Sequence, residues 1–385
     1  MSAVADREDT GTRAEVRSVR IAIIGAGFGG LGAAIRLRDE GIDDFVILER
    51  ASQLGGTWRA NTYPGCACDV PSHLYSYSFA LNPDWSRFFA PQEEILAYLE
   101  RTARDRAVAD RVVYDAEVTA ATWDADRNRW RLETAAGPYE AQAVVAAAGP
   151  LSEPSYPEIA GLHTFAGKMF HSADWDHEHA LAGERVAVVG TGASAAQFIP
   201  HVQQQAAHLD VYQRTAGWIF PRNDRAIPLL ERKLLRRVPA VQRLIRNVIY
   251  YFAELLVIGL VYQRRMLSLL EWISKRKLVK EVPDPELRRK LTPNFRIGCK
   301  RIIFSDDYLP ALAQPNVEVI TDAIAEVDAT GIRTADGVHR PVDTIILGTG
   351  FRAWDSPLAQ RLVGSEGTTL GAAWAEAGPQ AYLGT

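Results

Sequence analysis

The sequence predicts an α/β protein with two Rossmann-like dinucleotide-binding domains, the first discontinuous and the second carrying a helical insert. Two strand–glycine turn–helix signatures carry this prediction, one at Gly25 and one at Gly190, each followed by a second short apolar strand. Composition supports it. The 385 residues are 47% hydrophobic, with 47 Asp+Glu against 43 Lys+Arg and a net charge of −4. That supplies cores for two or three globular units, excludes disorder, and gives no case for nucleic acid as a partner. Cys66, Cys68 and Cys299 are too few for a disulfide framework and fit a reducing, cytoplasmic setting. The polar N-terminus lacks the apolar centre of a secretion signal.

Residues 1–18 read as a flexible tail. Arg20–Ile24 is the first strand, the glycine turn leads into a helix that Gly41 stops, and Phe45–Leu48 is the second strand. This is a right-handed parallel βαβ unit. Pro91 opens a helix through Val108, with acids in its first turn. Alternating strands follow over 111–148, the last of them, Val144–Ala148, buried. A Pro-containing linker over 153–182 separates the first domain (19–152) from the second (183–340). The second begins with a strand at Arg185, and Leu209–Tyr212 is its companion. Helices are expected over 231–301, and 341–385, with a strand at Val342–Leu347, is expected to return to the first domain.

In the first turn, Gly25 permits the bend, Gly27 admits a pyrophosphate, and Gly30 allows close helix–strand packing. The helix start offers free N–H groups to phosphate. Glu49 ends the second strand, where a carboxylate accepts ribose hydroxyls; this half suits FAD. The second turn is Gly190-x-Gly192-x-x-Ala195, and its companion strand leads to Arg214 and Thr215 instead of an acid. An acid there would repel a 2′-phosphate, whereas Arg binds it bidentately, so this half suits NADPH/NADP+. Gln197, on the second helix, is expected at the nicotinamide nucleotide. FAD and NADPH together imply hydride transfer to a flavin.

Three further segments carry a family resemblance. Gly55-Gly56-Thr57-Trp58 with Tyr63-Pro64-Gly65 and Asp69 resembles the flavin-side signature of class B flavoprotein monooxygenases. Phe165-x-Gly167-x-x-x-His171-x-x-x-Trp175-Asp176 resembles the fingerprint of Baeyer–Villiger monooxygenases. Gly298-Cys299-Lys300-Arg301 with Asp307-Tyr308 resembles their active-site arginine segment. The resemblance implies FAD reduction by NADPH, a C4a-peroxyflavin, and attack on a ketone to give an ester or lactone. Oxygenation of a sulfide or amine is the alternative. Arg301 is then the catalytic cation, and Asp69 holds it in place. The resemblance also assigns Phe28, Arg50, Gly56, Thr57, Trp58, Asp69, Tyr75 and Val118 to the flavin, Ala193 and Ser194 to the NADP turn, and Lys300 to the 2′-phosphate. His171 is expected to serve domain movement, not proton transfer.

Some features depart from the family pattern. Gly348 and Arg352 stand where Ala and an acid are usual, and family members continue beyond Thr385, so an incomplete flavin domain and a nucleotide-binding but uncoupled flavoprotein are also envisaged. Cys66-Ala67-Cys68 suggests a disulfide reductase, but those enzymes use a longer spacing. His177 and His179 lack further ligands at metal spacing, so no metal is expected. The partners expected are O2 and a small ketone or sulfide, with a monomer or weak oligomer. Residues 231–301 hold 18 Lys/Arg against 6 Asp/Glu beside the apolar run from Val248 to Tyr262, which allows peripheral membrane contact.

Overall fold

The structure, a computed structural model, describes residues 15–261, 264–353 and 357–380. The chain opens with β1 (Arg17–Ile24), α1 (Phe28–Asp39) and β2 (Phe45–Leu48). Most of the expected 1–18 tail lies outside the described residues, but Arg17 and Ser18 belong to β1 because they pair with Tyr139 and Glu140. A short helix α2 (Thr57–Ala60) precedes α3 (Gln92–Asp105), which ends three residues earlier than the sequence suggests; Ala107, at φ 50°, cannot continue it. Then come β3 (Val112–Val113), β4 (Val118–Asp124), β5 (Arg129–Thr134) and β6 (Tyr139–Ala146). The end of β6 is not the buried strand expected: Val144 and Val145 are half-buried.

A strand, β7 (Lys168–His171), falls inside the expected linker, and beyond it lie β8 (Arg185–Val189), α4 (Ala193–Gln203), β9 (His208–Tyr212) and β10 (Ile219–Phe220). The expected helical segment comprises α5 (Leu229–Arg237), α6 (Pro239–Val261), α7 (Arg264–Glu281) and α8 (Pro285–Lys290). It is followed by β11 (Ile303–Phe304), α9 (Tyr308–Leu312), β12 (Val317–Ile320), β13 (Ile324–Asp328), β14 (Gly331–Thr334), β15 (His339–Pro341) and β16 (Thr344–Leu347). The described chain closes with α10 (Pro357–Arg361), β17 (Leu362–Val363) and α11 (Leu370–Ala377).

Two compact units result. The first comprises residues up to Gly56, Ala103–Pro150 and the chain from Ala353. Its seven-stranded sheet runs β17-β4-β5-β6-β1-β2-β3, parallel from β6 to β3 and antiparallel across β4, β5 and β6. Ala22, Ile24, Val46, Leu48 and Leu132 are part of its core. The second unit, Thr57–Thr102 and Leu151–Arg352, holds an all-parallel sheet in the order β12-β9-β8-β16-β7 and an antiparallel β13-β14-β15 meander.

These units divide differently from the sequence boundaries: residues 57–102 group with the second unit, and the return to the first begins at Ala353. The expectation that Val342–Leu347 rejoins the first domain is therefore corrected. Thr344–Leu347 pairs with Val186–Val189 on one side and Lys168–His171 on the other, inside the second sheet. A short, fully buried, mostly apolar strand suits any parallel sheet, so its composition does not reveal which one it joins.

Candidate active site

In the first unit, the glycine turn is held from both sides. Glu49 is buried; its Oε2 accepts the Ala26 N–H at 2.7 Å and its Oε1 the Ala51 N–H at 2.9 Å. Gly27 caps α1 without any side-chain hydrogen bond, so the helix N-terminus faces the glycine turn where a phosphate would sit. The Gly55 N–H donates to Ala26 O, and a Cβ on Gly56 would lie 3.0 Å from Gly27 Cα. Two backbones meet there, which accounts for paired glycines at 55–56. Phe28 is half-buried, Arg50 exposed and Val118 buried at the start of β4. The bare turn and the strand-end carboxylate fit an adenine dinucleotide.

In the second unit, Gly192 caps α4, again with no side-chain hydrogen bond, and a Cβ there would meet nothing within 4 Å. This open cradle also fits a dinucleotide phosphate. The Thr191 hydroxyl donates to Thr215 O at 3.5 Å, and Arg214 next to it is exposed. Lys300 is exposed too, its Nζ 5.1 Å from the Phe295 ring centroid.

The same unit brings together residues far apart in sequence. The Arg301 guanidinium donates through Nε and Nη2 to the Asp69 carboxylate, at 3.2 Å and at 2.8–2.9 Å. Asp69 is 18% exposed and Arg301 65%. Among the described residues, Arg301 Nη1 has no hydrogen-bond partner, so its two hydrogens remain available. Asp69 sits on a loop docked against α4. Gly65, at φ 78°, makes this docking feasible, since a Cβ there would lie 2.6 Å from His201 Nε2 and 2.8 Å from Gln197 O.

Gln197 is the centre of that docking. Its Oε1 accepts from the Tyr63 hydroxyl at 3.1 Å and the Ala67 N–H at 3.4 Å, and its Nε2 donates to Ala67 O at 2.9 Å. The Gln197 amide thus ties the 63–67 loop to α4. Ala193 opens α4, with Ser194 next in its first turn. Burial raises the Tyr63 phenol and keeps it a neutral donor.

Sequence reasoning missed Arg222. Its Nη2 donates to Cys68 O at 2.9 Å, its guanidinium lies 5.1 Å from the Phe89 ring centroid, and its own N–H donates to Asp306. It thereby anchors the residue before Asp69. The only available signal was a Pro-Arg step after an apolar strand, too common to single out. Trp58 is buried and donates from Nε1 to the Tyr75 hydroxyl at 3.0 Å; Thr57 opens the same short helix. Burial pushes Tyr75 up to about 12.

The remaining candidates separate cleanly. Cys66 and Cys68 are free, buried thiols, each pushed up to about 12 by burial, which removes the thiolate a reductase needs. His171 is buried on β7, accepts the Ala173 N–H at Nδ1, and is held neutral by burial. His177 bonds the Thr62 hydroxyl, whereas His179 bonds Glu184 and Thr344, so the two serve different contacts.

The chain matches the pyridine nucleotide-disulphide oxidoreductase family over residues 22–243. It is 52% identical to a Baeyer–Villiger monooxygenase of Streptomyces coelicolor over 356 residues, covering 92% of this chain and 69% of that protein. A Baeyer–Villiger monooxygenase of Pseudomonas aeruginosa is 50% identical over 376 residues, covering 97% and 71%. The solved OTEMO complex with FAD and NADP superposes with a TM-score of 0.85 at 29% identity, covering 96% of this chain and 77% of that one. With half of its residues shared across nearly its whole length, and with the glycine turns and the Asp69–Arg301 pair in place, the chain belongs to the Baeyer–Villiger family of flavin-dependent monooxygenases.

Proposed function

We propose that the chain converts a ketone to an ester or lactone, consuming NADPH and O2 and releasing NADP+ and water. The Asp69–Arg301 pair carries this reading. FAD, when bound, accepts hydride from NADPH and activates O2. The first turn, with Gly25, Gly27, Gly30 and Glu49, would hold that flavin; Gly190, Gly192 and Arg214 would hold NADPH, with Lys300 as a second cation toward the 2′-phosphate. Arg301 supplies a planar cation with fixed N–H donors, and Asp69 fixes its plane. Its free Nη1 hydrogens stabilise negative charge on oxygen as the ketone carbonyl is attacked. Arg222 and Gln197 are positioning residues that act through the 63–69 loop. We assign the reaction to the cytoplasm on the strength of the three free cysteines.

The test is to supply NADPH and a panel of cyclic, linear, aromatic and steroid ketones, then seek products one oxygen heavier by mass spectrometry. NADPH consumption with hydrogen peroxide as the sole oxygen product would refute the reading.

A further inference from the structure

Helix α6 is attached by its polar side and turns an apolar side outward. On the inner face, Gln242 Nε2 donates to Asn82 O at 2.6 Å, and Arg246 Nη1 donates to His73 O, Leu74 O and Ser76 O at 2.8–3.0 Å. The opposite stripe is Leu244, Val248, Tyr251, Leu255 and Ile258, at spacings of four and three, each 47–66% exposed. Phe252 flanks it, and Leu269 and Trp272 on the packed neighbour α7 are also exposed. A water-facing helix has the reverse arrangement, and exposed apolar surface of this extent marks an interaction site.

Charge decides among occupants. The 231–301 segment has a net charge of +12, from 18 Lys/Arg against 6 Asp/Glu. Lys233, Arg237 and Arg243 are exposed at the α5 end of the stripe, and Glu254 is the only acid on α6. A second copy would bring the same +12 against itself. An anionic lipid surface instead accepts the apolar stripe among its acyl chains and pairs the cations with headgroups. Tyr251 and Trp272 suit the boundary between the two. No described helix is long and apolar enough to cross a membrane, which leaves an in-plane arrangement. We propose that α5, α6 and the exposed face of α7 dock the protein in the plane of an anionic membrane.

The test is co-sedimentation of the full chain with vesicles of phosphatidylcholine alone and with roughly one-third phosphatidylglycerol. Binding to the anionic vesicles, weakened by salt and absent with the neutral ones, is expected. Neutralising Arg237 and Arg243 to Gln should weaken it roughly fivefold per residue, and Val248→Asp with Leu255→Asp should abolish it while circular dichroism and melting temperature stay unchanged. No sedimentation with anionic vesicles would overturn the proposal. So would salt-independent binding to both vesicle types, or self-association in solution that the Asp variant dissolves.

Discussion

Replacing Arg301 by Ala separates folding from chemistry, and the structure sets the size of each effect. The guanidinium is 65% exposed, so the ion pair with Asp69 lies largely in water and contributes at most about 1 kcal/mol. For a unit of this size that corresponds to a melting shift of roughly 2–4 °C. A fixed donor facing a developing oxyanion is worth far more to the rate, typically ~10²–10³. Arg301→Ala should therefore melt almost as the parent does, retain flavin absorbance, and lose ketone conversion by about two to three orders of magnitude. Arg301→Lys should fall between, since an ammonium keeps the charge but cannot reproduce the two-nitrogen fork on Asp69. Product by gas chromatography per NADPH consumed, beside melting and flavin spectra, measures all three. Conversion within about tenfold of the parent would refute the assignment of Arg301. A collapse of melting temperature would refute the claim that the pair contributes little to folding.

Four other outcomes follow from the geometry. Arg214→Ala should raise KM for NADPH by roughly 10–100-fold and leave NADH turnover unchanged, as steady-state kinetics would show. An alkylating reagent at pH 8 should label Cys299 and spare Cys66 and Cys68 in peptide mapping. Both buried thiols are raised from 9.0 to about 12, so the folded state favours their protonated form; the stability they contribute is intact below pH 9 and lost as pH rises through 12, measurable by denaturant midpoints. Tyr63→Phe removes one hydrogen bond to Gln197 and should cost about 1 kcal/mol, read from the same midpoints.

What was legible in the sequence was local. Glu49 stands at the end of an apolar strand after a glycine turn, and that spacing alone identifies it as the carboxylate beside the turn. Gln197 shows the opposite case. Its helix was readable, but its partners Tyr63 and Ala67 lie more than a hundred residues away, so only the docked loop reveals that its amide ties 63–67 to α4. The strand ending at Leu347 was readable as a strand, whereas its sheet was not, because a buried threonine followed by three buried apolar residues carries no register information. Arg222 remained hidden for a related reason: its role rests on a carbonyl 154 positions away. Asp69 and Arg301 were readable only through family resemblance, since neither residue's surroundings in sequence differ from an ordinary polar loop.

The central claim is most directly tested with isotopically labelled dioxygen. Holoenzyme supplied with NADPH, a ketone it consumes and ¹⁸O2 should yield an ester or lactone carrying one labelled oxygen, with product and NADP+ formed in equal amounts. An unlabelled product, or NADP+ accompanied by labelled hydrogen peroxide and unchanged ketone, would contradict the account.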